Sequence, residues 1–222
     1  MRAIIFTDES GVKFPEIKKW TKHFGRGINI EKHTQLISLL KMNNLDVPSN
    51  NIDLEDKYRK ILEDFIRPSK YMFAGSFNEV RDFTDTLSTL ISTNLYIISS
   101  RYGLLKEFDT IIPYSSSIQT LADLDFLNIN TDFYNKMLVA SQTSDIVILL
   151  VPREYILYFL KNSCFDELKH IPLIIIVSSK NLKSEVLCYD NVILLERRGV
   201  ARIGKKNKKI ILDMIKSLAN IC

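Results

Sequence analysis

The feature that most constrains the fold is a series of short apolar runs spaced along the chain. The runs are residues 2–7, 95–99, 145–151, 172–178 and 191–196. Their length is typical of strands that are buried on both faces of a parallel sheet. Helical patterns separate them. This alternation predicts an α/β fold, a three-layer sandwich with a mostly parallel central sheet of four to five strands flanked by helices.

The domain organisation follows from length and continuity. A chain of 222 residues fits one large α/β domain. We therefore predict a single domain, residues 1–222, that ends in a basic helix. Ser76 precedes Glu79 by three residues, the spacing of a capping box, and predicts a helix start. Helices are predicted around residues 14–22, 31–42, from 53, 76–92, 131–142, 153–161 and 205–219.

The sequence disfavours a membrane, secreted or metal-dependent protein. Its apolar runs fall well short of the roughly 18 residues that a membrane span needs, and its first residues do not form a signal peptide. The cysteines and histidines show no metal-ligand spacing, so we predict no metal and no cofactor. We expect reduced thiols, a cytoplasmic location and no membrane partner. The cysteines are Cys164, Cys188 and Cys222, and the histidines are His23, His33 and His170.

Positive charge is concentrated at the C-terminal end. The net charge is +4, yet residues 189–222 alone carry eight basic and three acidic side chains. Local positive charge attracts phosphate, and helix N-termini favour anions. We predict phosphate binding by Arg197, Arg198, Arg202, Lys205, Lys206, Lys208 and Lys209. The glycines nearby do not match a Walker motif, so no NTPase is predicted. The alternative is a helix whose lysines only make it soluble.

Polar residues follow each predicted strand, where open parallel sheets bind ligands. The loop after the second run is the most distinctive of these ends. Gly103 would allow a tight turn, the serines could contact polar edges, and Tyr102 and Tyr114 could stack on a base. The predicted ligand-binding residues are Ser99, Ser100, Arg101, Tyr102, Gly103, Pro113 and Tyr114. The alternative is a structural motif, a packed tyrosine followed by a glycine turn.

Residues 95–118 read "LYIISSRYGLLKEFDTIIPYSSSI". This segment resembles the signature of the peroxide-stress YaaA-type family and of a related phage and archaeal family, a Ser-x-x-Tyr-Gly-Leu-Leu block followed by Asp and Pro-Tyr. The chain departs from it at Glu107, where relatives commonly have proline, and at Ser115, where YaaA-type proteins often have arginine. A more distant similarity links such proteins to uracil-DNA-glycosylase-like folds. The resemblance implies work on nucleic acid or modified nucleosides, but it identifies no catalytic residue.

Three carboxylates are candidates for acid–base chemistry because of their topological positions: Asp8, Glu9 and Asp109. Asp8 and Asp109 are the predicted catalytic residues, with Asp8 as a general base toward a glycosidic carbon. A capping or turn role for Asp8 is the competing interpretation.

Three functional hypotheses remain open. The first is an enzyme acting on a nucleobase or its N-glycosidic bond. The second is a non-catalytic protein that binds nucleic acid or a nucleotide. The third is a protein-interaction module in which the Ser99–Leu105 motif is structural.

Overall fold

The computed structural model describes residues 1–14, 27–115, 118–197, 199 and 202–219. The helix predicted around residues 14–22 lies almost entirely outside this part of the chain, as does Arg198.

The strands and helices of the described residues have the following bounds. The strands are β1 (Arg2–Asp8), β2 (Val12–Lys13), β3 (Ile28–Asn29), β4 (Arg67–Pro68), β5 (Ser92–Ser99), β6 (Gly103–Lys106), β7 (Thr110–Ile111), β8 (Ile146–Leu150), β9 (Leu173–Ser178) and β10 (Val192–Glu196). The helices are α1 (Thr34–Met42), α2 (Glu55–Ile61), α3 (Ser69–Met72), α4 (Phe77–Ser88), α5 (Leu121–Thr131), α6 (Phe133–Ser141), α7 (Arg153–Lys161), α8 (Cys164–Glu167), α9 (Lys183–Val186) and α10 (Gly204–Ala219).

The central sheet has six strands in the order β10-β9-β8-β1-β5-β6. The first five pair in parallel, and they are the five strands that the apolar runs predict. β6 runs antiparallel to β5 at the edge, with Gly103 opposite Ser99. β6 was not predicted from the sequence because its four residues immediately follow a turn.

Helices cover both faces of the sheet, which confirms the three-layer α/β architecture. One apolar cluster packs α1, α2, α4 and α10 on the face that includes Ala3 and Ile5. The other packs α5 to α9 on the face that includes Ile4 and Phe6. Alternate residues of β1 therefore enter opposite cores, as the period of two in a strand requires.

The strand order places a topological switch point between β1 and β8. The chain moves from β1 outward to β5 and β6, and then returns to the other side of β1 with β8, β9 and β10. At such a point, the loops beyond the carboxyl ends of the strands diverge and leave a crevice. The carboxyl ends of β1, β5, β8, β9 and β10 form what we call the carboxyl edge.

The predicted capping box of α4 is not formed. Ser76 is the N-cap residue, but its side chain makes no capping hydrogen bond. Its hydroxyl accepts a hydrogen bond from Arg202 Nε at 3.3 Å. The Glu79 carboxylate accepts from the backbone N–H groups of Ile203 and Gly204 at 3.2 and 3.1 Å. Both side chains thus hold the start of α10 instead of the start of their own helix.

Within the described ranges, no helix is both long and apolar enough to cross a membrane. Cys164 is buried and Cys188 is exposed, and both are free thiols.

Candidate functional site at the carboxyl edge of the sheet

Ser99, the last residue of β5, organises a buried hydrogen-bond chain. The backbone N–H groups of Arg101 and Tyr102 donate to Ser99 Oγ at 3.2 and 3.0 Å. Because these two bonds occupy the hydroxyl lone pairs, Ser99 donates its own proton to the Tyr114 oxygen, 2.7 Å away. Tyr114 then donates to Glu9 Oε2. This chain of hydrogen bonds fixes the Glu9 carboxylate beside the end of β5.

Tyr114 is fully buried, so its ring faces contact protein. The ammonium of Lys13 lies 4.6 Å from the ring centroid, and the Tyr102 ring approaches edge-on at 5.6 Å. Burial, and then the charge of Glu9, raise the pKa of the Tyr114 phenol. Burial also lowers the pKa of Lys13 to about 8, although the charge of Glu9 opposes this shift. Tyr114 and the likewise buried Pro113 shape the site from inside and do not stack on a ligand.

Arg101 holds the segment from Ser49 to Glu55 against the end of β5. Its guanidinium donates to the Glu55 carboxylate at 2.8 and 3.1 Å, to Asn51 Oδ1 at 3.0 Å and to the Ser49 carbonyl. Tyr102 OH donates to the other Glu55 oxygen at 2.8 Å, and burial is the main cause that raises its pKa. The side chain of Arg101 is completely buried. It therefore joins β5 to the start of α2.

Gly103 has the backbone conformation that the motif predicts. Its φ is +74°, in the left-handed region that favours glycine. A Cβ placed on it would lie 2.5 Å from Cβ of Thr131 on α5. The glycine is needed both for the turn into β6 and for the close approach of α5.

A pocket of about 350 Å³ opens beside the loop. Its walls include Ser100, Arg101, Tyr102, Phe126, Asn130 and Thr131. Ser100 is nine-tenths buried, while the Phe126 ring is 57% exposed. Three of the predicted ligand-binding residues therefore line one cavity, whereas Ser99, Pro113 and Tyr114 are buried behind it.

Asp8 lies at the end of β1 and is held by Arg202. The guanidinium of Arg202 donates to the Asp8 carboxylate, to the Asp8 and Glu9 carbonyls at 2.7 Å each, and to Thr7 Oγ1 at 3.1 Å. Burial raises the pKa of Asp8, while Arg202 and Arg197 act against that rise. Asp8 is thus committed to an internal ion pair, and Arg202 fastens the start of α10 to β1.

Asp109 lies apart from the hydrogen-bond chain of Ser99. It is exposed on the turn after β6, where Oδ2 accepts from the Lys106 backbone N–H at 2.7 Å. It also borders a groove of about 470 Å³ between β6 and α6. The described contacts give Asp109 a turn-stabilising role.

The basic C-terminal side chains are not equivalent. Lys205, Lys206 and Lys209 are exposed on α10, and the first two border a groove of about 450 Å³ along β10. Lys208 donates to the Asp82 carbonyl at 3.2 Å. Because Glu79 already accepts from the first N–H groups of α10, a carboxylate occupies the place where a phosphate was predicted.

Buried polar atoms without a hydrogen-bond partner are concentrated at the carboxyl edge. Four of those found within the described residues lie directly at strand ends: Glu9 Oε1 after β1, Ser100 Oγ after β5, Ser178 Oγ on β9 and Arg197 Nη1 after β10. Others, on Arg67 and Thr84, lie elsewhere. Such atoms are rare in folded proteins, and each needs an explanation. We call the four atoms at the strand ends the unpaired row, and we treat them as the candidate site.

Several residues of the site were not predicted. Lys13 and Glu55 act through contacts that local sequence cannot show. Tyr155, on α7, lies near Asp8 and Glu9. Burial raises the pKa of Tyr155, and the charges of these two carboxylates raise it further. Ser178 carried a signal, its position at a strand end, but many other residues carried the same signal. Glu9 was one of the three candidate carboxylates, although the catalytic prediction fell on Asp8 and Asp109. The apolar cleft of about 730 Å³ bordered by Leu173 lies at the amino ends of the strands, away from this chemistry.

Comparison with known proteins adds no identification. No protein-family model matches the sequence, and no curated protein matches it. Within the residues that the structure describes, no cluster of three or more histidine, cysteine or acidic side chains could hold a metal ion. The resemblance to YaaA-type proteins therefore remains a prediction.

Proposed function

We propose that this protein binds a nucleotide-class ligand, a free nucleotide or part of a nucleic acid, at the carboxyl edge of its sheet. The unpaired row carries the proposal. A buried polar atom without a partner costs free energy, so a ligand that completes its hydrogen bonds is favoured. The row also spans the switch point, the place where doubly wound sheets bind ligands.

The hydrogen-bonding character of the unpaired row changes from acceptor to donor between Glu9 and Arg197. Glu9 offers a carboxylate oxygen, which accepts hydrogen bonds from a base N–H or a sugar hydroxyl. Arg197, at the other side of the switch point, offers guanidinium N–H groups, which only donate and prefer an anion. The serine hydroxyls of Ser100 and Ser178 can do either. A nucleotide presents donors at its base and sugar and acceptors at its phosphate, so it fits this order.

The pocket beside Tyr102 is where the base would lie. Its volume of about 350 Å³ is at the lower end of the usual range for small-molecule sites. The exposed ring of Phe126 offers a stacking surface, and the Ser100 hydroxyl offers a polar contact. Glu9 lies at the end of the neighbouring strand, where its backbone N–H donates to the Ile98 carbonyl on β5 at 3.1 Å.

A second candidate function is base processing, and one observation favours it. Tyr114 orients one oxygen of Glu9, while the other has no partner within the described part of the chain. A carboxylate oriented in this way can act as a general base toward water or a sugar hydroxyl. Under this proposal the role predicted for Asp8 passes to Glu9, because Arg202 holds Asp8. Release of free base from nucleosides or oligonucleotides, lost in Glu9→Gln, would support it.

The binding proposal is tested by titration calorimetry with nucleosides, mononucleotides and short single-stranded DNA. Glu9→Gln should weaken binding about tenfold or more, because hydrogen bonds to charged groups contribute about 1.5–3 kcal/mol. The matched control is Glu167→Gln, an exposed carboxylate on α8. Equal affinity in wild type and Glu9→Gln, or no binding of any of these compounds by wild type, would contradict the proposal.

A further inference from the structure

Ser178 and Arg197 are neighbours at the end of the sheet. Ser178 ends β9, and its register partner on β10 is Glu196, the residue before Arg197. The Arg197 backbone N–H donates to the Ser178 carbonyl at 2.7 Å. Their side chains therefore start from adjacent strands at the same level of the carboxyl edge.

Both side chains carry buried hydrogen-bonding atoms that the protein leaves unpaired. Ser178 is 1% exposed, and neither its Oγ nor Arg197 Nη1 has a partner within the described residues. Burial lowers the pKa of Arg197, whereas the charge of Asp8 raises it. Asp8 does not pair with Arg197 because its carboxylate is bound by Arg202. Nη1 of the partly buried Arg197 is thus removed from water without a bonded counter-ion.

We infer that Ser178 and Arg197 form an anion subsite that binds a phosphate group. A guanidinium can only donate hydrogen bonds, and its planar fork matches phosphate oxygens. The Ser178 hydroxyl can donate to the same anion. Two buried donors at the ends of adjacent strands provide what a surface lysine does not, hydrogen-bonding atoms that folding has already removed from water.

The alternative phosphate positions are less suitable. β1 ends at Asp8 and is followed by Glu9 and Ser10, not by a glycine-rich loop whose N–H groups could cradle a phosphate. The N-terminus of α10 already binds the Glu79 carboxylate, and Lys205 and Lys206 are exposed to water. The Arg197 subsite therefore replaces the lysine-rich helix start that the sequence predicted.

The subsite also specifies the ligand within the proposed function, on which this step rests. β10 and β1 are separated by three strand intervals, or about 14 Å at the usual spacing of about 4.8 Å. A ligand that contacts both Glu9 and Arg197 must span the part of this distance that the two side chains do not themselves cross. A nucleoside that carries phosphate offers donors at its base and sugar and an anion at its other end, whereas a free nucleoside has no anion for Arg197.

The test compares pyrophosphate, a nucleoside and its 5′-diphosphate by titration calorimetry against four proteins. These are wild type, Arg197→Gln, Ser178→Ala and the competing double variant Lys205→Gln/Lys206→Gln. We expect wild type to bind pyrophosphate, and Arg197→Gln to bind pyrophosphate and the diphosphate at least tenfold more weakly with unchanged nucleoside affinity. Ser178→Ala should show a smaller loss, and the lysine variant a change of less than threefold at 150 mM salt, where exposed charges are screened.

The outcomes separate this inference from the proposed function. The subsite would be overturned if wild type bound the nucleoside but not pyrophosphate, or if pyrophosphate affinity depended on the lysines and not on Arg197. The subsite would stand, and the nucleotide function would be removed, if pyrophosphate binding depended on Arg197 while wild type neither bound the nucleoside nor preferred its diphosphate. Circular dichroism of each variant identifies misfolding, and Ser178→Ala, which removes one buried atom, keeps the test valid if Arg197→Gln does not fold.

Discussion

The loop after β5 and the ends of β9 and β10 lie on the same carboxyl edge, yet they use polar side chains in opposite ways. In the loop, Ser99, Arg101 and Tyr102 make hydrogen bonds within the protein. At the ends of β9 and β10, Ser178 and Arg197 keep buried atoms without partners. The loop that is most distinctive in sequence is therefore largely a structural brace. The buried polar atoms that lack a partner at this edge lie mainly on residues without a motif.

The Ser99 hydroxyl finds partners within its own loop because the backbone N–H groups that it needs follow it closely in sequence. A serine hydroxyl readily accepts from backbone N–H groups two and three residues later, as Ser99 does. Ser178 ends its strand in the same way, but its hydroxyl makes no such bond. A Ser-x-x-Tyr-Gly block thus predicts a turn more directly than it predicts a ligand.

The largest effect on this contrast is expected from Arg101→Ala. The substitution removes the guanidinium that pairs with Glu55 and donates to Asn51 and Ser49, and leaves the Glu55 carboxylate with Arg59 as its ion-pair partner. Because several charge-assisted hydrogen bonds are lost, we expect a loss of about 3–5 kcal/mol in the free energy of unfolding. Urea unfolding measures it, with Arg153→Ala, an exposed arginine on α7, as the control. A loss below about 1 kcal/mol would show that the loop is not a brace.

Gly103→Ala should rank second. The new Cβ would meet Thr131 at 2.5 Å, and φ is +74°. Left-handed strain of about 1–2 kcal/mol and overpacking of about 1–3 kcal/mol together give a loss of about 2–5 kcal/mol.

Two other glycines separate the causes of that loss. Gly199 has φ of +62° with open space around its Cβ position, and Gly11 has open space. Gly199→Ala should show the backbone strain alone, and Gly11→Ala almost no loss. Equal losses in Gly103→Ala and Gly199→Ala would exclude a role for the contact with α5.

The pH dependence contributed by Lys13 should come next in size. Its pKa is about 8 in the folded protein and 10.5 in the unfolded chain, so the unfolded chain binds more protons between these values. Stability therefore rises with pH in this window, by about 2 kcal/mol between pH 8 and 9.5, as the cost of burying the ammonium is relieved. Below pH 8 that cost is fully present.

The measurement is urea unfolding of wild type and Lys13→Met at pH 7, 8, 9 and 9.5. The upper limit stays below the range in which unfolded tyrosines ionise, since the buried Tyr114 has a raised pKa. The wild type should gain stability relative to Lys13→Met across the window. A constant difference would mean that Lys13 is not desolvated beside Tyr114 and Glu9.

The smallest effect, and the sharpest contrast, is expected from paired serine substitutions. Ser99→Ala deprives two backbone N–H groups and Tyr114 of their partner and should cost about 1–3 kcal/mol. Ser178→Ala removes a hydroxyl that has no partner, so stability should change by less than about 0.5 kcal/mol or increase. Equal losses at the two positions would remove the distinction between the two regions.

The fold was largely predictable because buried strands and amphipathic helices leave periodic patterns. The bounds of α7 match the predicted helix, and the five parallel strands match the apolar runs. α5 was missed because its sequence is rich in Asn, Asp and Thr, which favour helices weakly. A capping box between Thr120 and Asp123 starts it. The box predicted at Ser76 was wrong because its side chains bind a segment more than a hundred residues later.

The site was less predictable because its chemistry depends on which strand ends retain unpaired atoms. The sequence places Ser99, Ser178 and Arg197 at strand ends equally well. It cannot show that Ser99 hydrogen-bonds to Tyr114, or that the Asp8 carboxylate pairs with Arg202 and not with Arg197, because these contacts join distant segments. Long-range hydrogen bonding, not strand position, separates structural polar residues from candidate ligand contacts.

The most direct test of the carboxyl-edge site is a ¹H–¹⁵N NMR titration of the whole chain with a nucleoside 5′-diphosphate. The proposal predicts saturable amide shifts at the ends of β1, β5, β9 and β10, centred on Glu9, Ser100, Ser178 and Arg197. Shifts centred on Lys205 to Lys209, shifts around the cleft bordered by Leu173, or no shifts at all would contradict it.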